Sequence, residues 1–305
     1  MTPIVWIGSA LFMAIVIGLV LVTAVIVTTL SGRTAGAGDE PRTAATARSH
    51  ALRIHVCAWF ALVVAMVTMA VAASIAQGLE AGRITGIVLV VGGLAFLVVT
   101  AFGEITWPRP TGSVRTATLT RRTVRDVAPR PAALLLAIAS GLLFLALVAG
   151  GLTARPDGRS YGRTVVGAGG VTETWSSGPY PGWFYAVPLA LAAVTILAAT
   201  FACLVLIARR PAILDASSAW DLAMRQLSGQ RTLRGATLTL GATAAPVYGL
   251  LALPFLREGP WVAAVLFVLG ALASIGVGVA ALALPARRLP AAAVEVGRST
   301  GRTAR

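Results

Sequence analysis

Two ionisable side chains, His55 and Glu104, come closest to the apolar interior of this chain, in which 57% of the residues are hydrophobic. An acidic or histidine side chain inside a membrane span is the usual mark of a proton relay or an ion pathway. Both residues stand at the ends of apolar stretches and not in their middles, which disfavours a proton-coupled transporter. We expect Glu104 to pair with a nearby arginine, and we keep both residues as candidates for substrate binding or coupling.

The most site-like group inside an apolar stretch consists of Thr243, Pro246 and Tyr248. A proline lacks the N–H that would bond to the carbonyl one turn earlier, so it frees a hydrogen-bond acceptor at membrane depth. With a hydroxyl and a phenol beside it, such an acceptor could bind a neutral solute. A packed helix bend uses the same residues, and we favour that interpretation.

Catalytic signatures are missing from the sequence. All 25 lysine or arginine residues are arginines, so the chain has no lysine for a retinal Schiff base or a Walker A motif. The zinc-protease pattern His-Glu-x-x-His and the nucleophile elbow Gly-x-Ser-x-Gly are also missing. Cys57, Cys203 and His55 supply at most three of the four ligands of a structural zinc site, and we expect both cysteines to be buried core thiols. The sequence therefore predicts no catalytic residue, no metal and no cofactor.

Seven apolar stretches are each long enough to cross the hydrocarbon layer of a bilayer, which takes about 20 residues. They predict an all-α membrane protein, a seven-transmembrane-helix bundle that forms a single polytopic domain over residues 1–285. A cleaved signal peptide is disfavoured for the first stretch, because its start has no basic side chain and its apolar run is too long. The stretches are 4–30, 54–76, 85–103, 132–152, 183–208, 238–256 and 261–285.

The arginines alternate between the connections on the two sides of these stretches. Twenty of the 25 belong to the segments 31–53, 104–131 and 209–237 and to a basic tail, 286–305, which we expect to be disordered. The positive-inside rule makes this set cytoplasmic, with the N-terminus outside and the C-terminus in the cytoplasm. The formal net charge of +14 is then explained by attraction to anionic inner-leaflet lipids. We expect no nucleic-acid partner, and a protein partner at the cytoplasmic loops stays open.

Two of the connections between the stretches are predicted to contain secondary structure. The outer loop 153–182 contains two β-prone runs, Tyr161 to Val166 and Val171 to Trp175, which favour a small β-hairpin. We expect this loop to be a connector, with a binding loop as the alternative. In the inner segment 209–237, the run from Asp215 to Leu227 has an N-cap candidate and apolar residues at helical spacing, which predict a short amphipathic helix on the inner interface.

Small residues in the seventh stretch indicate how that stretch packs. Gly270, Ser274 and Gly278 repeat every four residues and would present one smooth face to a neighbouring helix. We interpret this face as helix–helix packing, with a dimer interface as the alternative.

Tryptophans near the ends of the stretches support the same assignment of spans and membrane sides. Trp183 and Trp261 open stretches on the outer side and Trp107 closes the third on the inner side, and tryptophan prefers the headgroup level of a bilayer. Trp59 lies about a turn inside the second stretch, and we expect it to pack within the bundle.

The composition is rich in alanine and valine and has arginine as its only strong base. Together with the segment Glu104-x-x-Trp-Pro-Arg-Pro and the segment Gly-Pro-Tyr-Pro-Gly-Trp-Phe-Tyr-Ala-Val-Pro that ends at Pro188, it resembles uncharacterised integral membrane proteins of high-GC actinobacteria. The resemblance covers about the middle half of the chain. It implies the cytoplasmic membrane of a bacterial cell, and it carries over no catalytic or binding residue.

Three hypotheses of function follow. The first, which we favour, is a non-enzymatic membrane component or partner-binding subunit whose cytoplasmic arginine loops supply the contact surface. The second is a permease-like carrier of a neutral or apolar solute that works through the proline-containing fifth and sixth stretches. The third is a membrane enzyme whose site the sequence does not reveal. A solid bundle would favour the first, a polar cavity at mid-membrane depth the second, and acids from different loops meeting at one interface the third.

Overall fold

The computed structural model describes most of the chain between residues 42 and 290. Within the described residues, six helices are long and apolar enough to cross a membrane, which indicates a multi-pass membrane protein. The first predicted stretch and nearly all of the predicted tail lie outside the described residues, so both stay predictions. The described ranges are 42–76, 78–108, 122–166, 172–213, 216–287 and 289–290.

The six long helices coincide with the second to seventh predicted stretches, which are thereby confirmed as helical. A one-turn helix and a two-stranded hairpin lie between them. In chain order the elements are α1 (Arg42–Ile75), α2 (Gly78–Ile105), the short α3 (Val124–Val127), α4 (Arg130–Thr153), β1 (Tyr161–Val166), β2 (Thr172–Ser177), α5 (Trp183–Arg209), α6 (Ser218–Glu258) and α7 (Trp261–Ala283).

The long helices alternate in direction, so their ends gather in two groups. At the first, which we call the arginine end, α1, α4 and α6 begin and α2, α5 and α7 end. At the second, the hairpin end, the chain forms β1 and β2. Side-chain contacts join neighbouring elements at each end, such as Arg210 with Glu104 at the arginine end and Tyr161 with Phe255 at the hairpin end. The described parts of the arginine-rich connections therefore share one end of the bundle.

Helix α6 is much longer than the predicted sixth stretch. It has 41 residues, or about 60 Å at ~1.5 Å per residue, roughly twice the ~30 Å hydrocarbon layer. The amphipathic helix expected over 215–227 is wrong as a separate interfacial element, because the chain from Ser218 onward belongs to α6. The N-cap is Ser217, whose side chain accepts the backbone N–H of Trp220.

The apolar face that suggested this amphipathic helix packs against protein and not against a membrane surface. Trp220 and Met224 are each 1% exposed and share a cluster with Trp107 and with Ala44 of α1. Helix α1 begins at Arg42, before the predicted start at residue 54, so this part of the predicted loop is helical. Trp107 is 4% exposed and packs within this cluster, so its ring contacts protein.

Apolar side chains fill the middle of the bundle and also cover its outside. Phe96, Leu143, Ile196, Leu240 and Leu251 are at most 1% exposed and belong to one continuous core cluster, which also contains Trp59 as predicted. The outward faces of the same helices carry large exposed apolar side chains. These include Phe60, Val98, Leu145, Leu191, Leu253 and Leu269, together with Trp183 and Trp261. Such a surface suits lipid and not water.

The predicted hairpin is confirmed. Strands β1 and β2 pair antiparallel, with Tyr161 opposite Ser177, and the residues between the strands lie outside the described ranges. The ring of Tyr161 lies 5.4 Å from that of Tyr180 and 4.9 Å from that of Phe255, measured between centroids. The Tyr180 hydroxyl and Thr153 Oγ1 are 2.6 Å apart, so the hairpin is fastened to the ends of α4 and α6.

The small-residue stripe of α7 packs against α6, which confirms the packing interpretation. Ser274 is fully buried, and a Cβ placed on Gly241 of α6 would lie 2.9 Å from the carbonyl oxygen of Ser274. A Cβ on Gly270 would lie 2.6 Å from the ring of Tyr248, and one on Gly278 would touch Leu238 at 3.5 Å. The stripe is thus covered by a helix of the same chain.

Two glycines of α4 offer a matched test of this close packing. A Cβ on Gly150 would overlap the backbone carbonyl oxygen of Pro181, whereas one on Gly141 would meet nothing within 4 Å. We expect Gly150→Ala to lower the free energy of unfolding by about 1–3 kcal/mol, because a backbone atom cannot move aside as a side chain can. Gly141→Ala should leave it unchanged or raise it by up to about 1 kcal/mol through helix propensity.

The measurement for both variants is unfolding of the purified protein in detergent micelles as the fraction of denaturing detergent is raised. Equal midpoints for Gly150→Ala and Gly141→Ala would contradict the close approach of α4 to the segment before α5.

Candidate functional site

The carboxyl ends of three helices converge on the first half of α6. Arg225 of α6 donates hydrogen bonds to three backbone carbonyl groups there. Arg225 Nη1 donates to the carbonyl oxygens of Ile207 at 2.7 Å and Ala208 at 3.1 Å, and Nη2 donates to that of Arg210 at 2.7 Å. The last carbonyls of a helix have no partner within the helix and carry its negative dipole end. One guanidinium of α6 therefore caps the end of α5.

The end of α7 is held in the same way by residues about one and a half and two and a half turns further along α6. Arg234 donates to the carbonyl oxygen of Leu284, and Gln230 Nε2 donates to that of Pro285 at 2.8 Å. At the end of α2, a ring nitrogen of His50 lies 3.0 Å from the carbonyl oxygen of Gly103. Polar side chains from α6 and α1 thus satisfy helix ends that would otherwise bury bare carbonyl groups.

Glu104, at the end of α2, pairs with Arg210, as the sequence predicted for an unspecified arginine. Arg210 Nη1 lies 3.2 Å from Glu104 Oε2 and 3.3 Å from the hydroxyl of Ser228, and the Arg210 side chain has no exposed surface. The guanidinium carbon sits 3.8 Å above the ring of Trp107. Burial lowers the pKa of Arg210, and the carboxylates of Glu104 and Asp221 act in the opposite direction.

A second ion pair lies beside the first. Asp221 accepts a hydrogen bond from Arg225 Nε at 3.0 Å and also pairs with Arg122. Arg225 contacts the backbone of Arg210, so the two pairs form one buried network. Acids from two different elements do meet at this end, but each of them has an arginine partner.

A cavity of about 30 Å³ opens beside this network, between α1, α2 and α6. Both ionisable candidates of the sequence, His55 and Glu104, line it, together with His50, Trp107, Ser228 and Arg231. His55 is 7% exposed, and its Nε2 accepts the indole N–H of Trp59 at 3.2 Å. The structure therefore places His55 and Glu104, the two ionisable candidates of the sequence analysis, at one cavity.

The three residues of the other candidate group do not converge on a cavity described here. The hydroxyl of Thr243 donates to the carbonyl oxygen of Thr239 in its own helix at 2.7 Å. Tyr248 is 4% exposed and packs on Gly270 of α7. Helix α6 continues through Pro246 without a break. These contacts support packing of the group.

The described residues offer few groups for other chemistry. Among them, no three histidine, cysteine or acidic side chains lie close enough together to hold a metal ion. Cys203 is buried as expected and its thiol lies 3.5 Å from the carbonyl oxygen of Leu97. Cys57 is exposed, so the prediction of a buried thiol is wrong there, because the residue falls on the outward face of α1.

Sequence reasoning missed the residues that build this end, namely Arg210, Arg225, Arg231, Arg234 and Trp107. The arginines were placed in the inner connection 209–237, with Arg225 inside the short amphipathic helix expected over 215–227. A signal was present: no proline occurs between Ser218 and Pro246, and Arg225, Ser228, Arg231 and Arg234 recur every three residues, a spacing that suits one broad face of a long helix.

No protein-family model, curated protein or solved structure matches this chain. What the site can do therefore has to be argued from the arrangement of its own side chains.

Adjacent arginines allow a matched test of the buried network. Arg210 is buried in its ion pair, whereas Arg209 is exposed. We expect Arg210→Met to lower the free energy of unfolding by about 3 kcal/mol, because it leaves the buried Glu104 without its partner. Arg209→Met should change it by no more than about 0.5 kcal/mol.

The double variant Glu104→Gln/Arg210→Met should lose less stability than the two single variants added together, since the lone buried charge is gone. Strictly additive losses in a detergent unfolding assay would show that the two side chains do not depend on each other.

Proposed function

We propose that this chain is a non-enzymatic, multi-pass membrane component that binds a partner through its arginine end. The proposal rests on the contacts made by the acidic side chains. Each of the four acids whose side chains the structure describes is engaged in a local structural contact. Glu104 and Asp221 pair with arginines, Asp126 accepts from Thr123, and Asp157 accepts from Arg159 and Ser160. This arrangement leaves little for general acid or base catalysis.

The packed middle of the bundle also supports a non-transporting role for the chain. One continuous apolar cluster occupies it, and the two cavities described lie at the arginine end. A carrier of neutral solutes would use the proline-containing helices α5 and α6. Pro188 and Pro246 stand inside helices that continue through them, and neither lines a described cavity.

The surface available to a partner is smaller than the arginine count suggests. Arg210, Arg225 and Arg234 are at most 6% exposed and are occupied with helix ends or acids. Six other arginines at the same end are exposed, and none of them pairs with a carboxylate among the described residues. This exposed arginine surface consists of Arg42, Arg53, Arg125, Arg130, Arg209 and Arg287. It suits an acidic protein partner or anionic lipid, which attracts each such arginine by about 1 kcal/mol.

The arginine end is the cytoplasmic end in this proposal, and the membrane is the cytoplasmic membrane of a bacterial cell. The positive-inside rule supports the orientation, because the described arginines are concentrated at one end of the bundle. The resemblance to actinobacterial membrane proteins supports the choice of membrane. With the stretch 4–30 as a further span, residues 1–285 cross the bilayer seven times in this proposal.

The orientation predicts the side on which the C-terminus lies. A fluorescent protein that matures only in the cytoplasm, fused after Arg305, should fluoresce, and alkaline phosphatase fused at the same place should be inactive. The opposite pair of results in intact cells would contradict the orientation, and with it the assignment of the exposed arginine surface to the cytoplasm.

The partner itself is tested by purification from native membranes followed by mass spectrometry. We expect a stoichiometric partner, and we expect the triple variant Arg125→Gln/Arg130→Gln/Arg209→Gln to bind it about ten-fold more weakly or worse. The reason is that exposed ion pairs each contribute up to about 1 kcal/mol. The triple variant Arg83→Gln/Arg159→Gln/Arg257→Gln, at the hairpin end, is the control and should keep the partner.

Two single variants check the absence of a catalytic or coupling role. Glu104→Gln and His55→Ala should remain inserted in the membrane and keep the partner. Loss of partner binding or of a cellular activity in either variant, with normal insertion, would contradict a purely structural use of these side chains. Equal binding by the two triple variants would contradict the proposed surface.

A further inference from the structure

One long side of α1 is left uncovered by the described part of the chain. Large apolar side chains follow one another along it at intervals of three or four residues, which places them on one face of the helix. Each of them is between 41% and 74% exposed. This face, which we call the α1 stripe, consists of Val56, Phe60, Val64, Val67, Val71 and Ile75.

Helix α1 also has fewer neighbours than the other long helices. Among the described helices, α1 packs extensively against α2 alone, whereas each of the other five long helices packs in this way against two or more. Its buried side chains, such as Leu62 and Met66, face α2, and a Cβ placed on Gly92 of α2 would lie 2.5 Å from Met66 Cγ. The α1 stripe lies on a different side of the helix, where a second neighbour has room to pack.

The position of the first predicted stretch in the chain makes it a neighbour of α1. The stretch 4–30 lies outside the described residues, and the eleven residues 31–41 join it to Arg42, where α1 begins. A connection of eleven residues reaches at most about 40 Å, so the inner end of the stretch stays near the first turns of α1. Consecutive elements of a fold are usually neighbours in space, and four of the five consecutive pairs of long helices described here pack against each other.

The stretch 4–30 has a run of small residues that suits a ridge of large ones. Ala10, Ala14 and Gly18 repeat every four residues, as Gly270, Ser274 and Gly278 do in α7. The stripe of α7 is covered by α6, and small residues at such spacing let two helices approach closely in a membrane. The run in 4–30 therefore calls for a helix that presents large side chains to it.

The register brings the small run and the α1 stripe to the same depth. If 4–30 lies antiparallel to α1 with residue 30 beside the predicted membrane boundary at residue 54, the three small residues fall opposite the last three members of the α1 stripe, to within one residue. Gly18 then meets Val67, Ala14 meets Val71 and Ala10 meets Ile75. The intervals of four residues match on both sides, so all three pairs are satisfied at once.

We propose that the span 4–30 packs antiparallel on the α1 stripe of the same chain, with Ala10, Ala14 and Gly18 against Ile75, Val71 and Val67. This contact gives α1 its second neighbour and makes the α1 stripe an internal surface of the bundle. The inference rests on the seven-span topology of the proposed function and is independent of the partner at the arginine end.

The test is disulfide cross-linking of the full chain in native membranes. The background is Cys57→Ser/Cys203→Ala, which removes both natural thiols. A specific protease site is inserted in 31–41, so that cleavage separates the span from the rest of the chain unless a disulfide joins them. A disulfide requires Cα atoms within about 7 Å. After mild oxidation, Gly18→Cys/Val67→Cys and Ala14→Cys/Val71→Cys should each hold most of the cleaved molecules together.

A second set of variants controls for chance encounters in the membrane. The matched control pair is Gly18→Cys/Gly276→Cys, because Gly276 is exposed near the middle of α7 and a Cβ there would meet nothing within 4 Å. It should cross-link at least ten-fold less than the pair with Val67→Cys. Adding Gly18→Leu to Ala14→Cys/Val71→Cys should reduce cross-linking several-fold, since a large side chain holds the helices apart. Adding Val20→Leu, about 200° around the predicted helix, should leave it unchanged.

Three results would overturn the proposal. The first is equal cross-linking of Gly18→Cys to Val67→Cys and to Gly276→Cys. The second is cross-linking only between two chains, seen as a doubled mass before cleavage, which would make the α1 stripe an interface between copies. The third is no cross-linking at the α1 stripe, which would leave that face to lipid.

Labelling of the N-terminus separates this failure from a failure of the topology. A membrane-impermeant thiol reagent added to the outside of cells should label Thr2→Cys in the same background. Labelling without cross-linking overturns the packing and keeps seven spans, whereas an unlabelled Thr2→Cys overturns the seven-span topology and the packing with it.

Discussion

The ends of α2, α5 and α7 present carbonyl groups that must find hydrogen-bond donors, and the rest of the structure depends on how this need is met. Donors on a single helix, α6, serve two of the three ends, through Arg225, Gln230 and Arg234. Because a buried carbonyl without a partner is costly, these contacts fix where α5 and α7 stop relative to α6. They also explain why α6 continues as a helix far beyond the apolar residues that a membrane requires.

The same network engages charged side chains that could otherwise take part in catalysis or coupling. Glu104 and Asp221 are engaged by arginines, and Arg210 is enclosed between Glu104, Ser228 and the ring of Trp107. A network of this kind gives the end of the bundle a definite arrangement, because removing one partner leaves a buried charge. The exposed arginine surface lies outside this network, and the proposed function assigns partner binding to it.

The hairpin end is held by different means. The ring of Tyr161 packs at a tilt against those of Tyr180 and Phe255, between the strands and the helices, and Gly150 allows backbone to approach backbone where α4 meets the segment before α5. The ion pair described at this end, Arg159 with Asp157, has exposed side chains. The two ends of the bundle therefore differ: buried ion pairs join the helices at the arginine end, whereas ring contacts and close backbone packing join the elements at the hairpin end.

The sequence by itself determined the apolar helices, the β-hairpin and the gathering of arginines on alternate connections, because hydropathy and turn chemistry are properties of neighbouring residues. It also indicated that Glu104 would find an arginine and that the stripe around Ser274 would pack. Only the tertiary structure decided that α6 starts at Ser218, that Trp107 is buried, and that Arg231 faces His55 across a cavity. These features depend on which helix ends meet, and a side chain such as Arg225 has the same local sequence whether water or three carbonyl groups surround it.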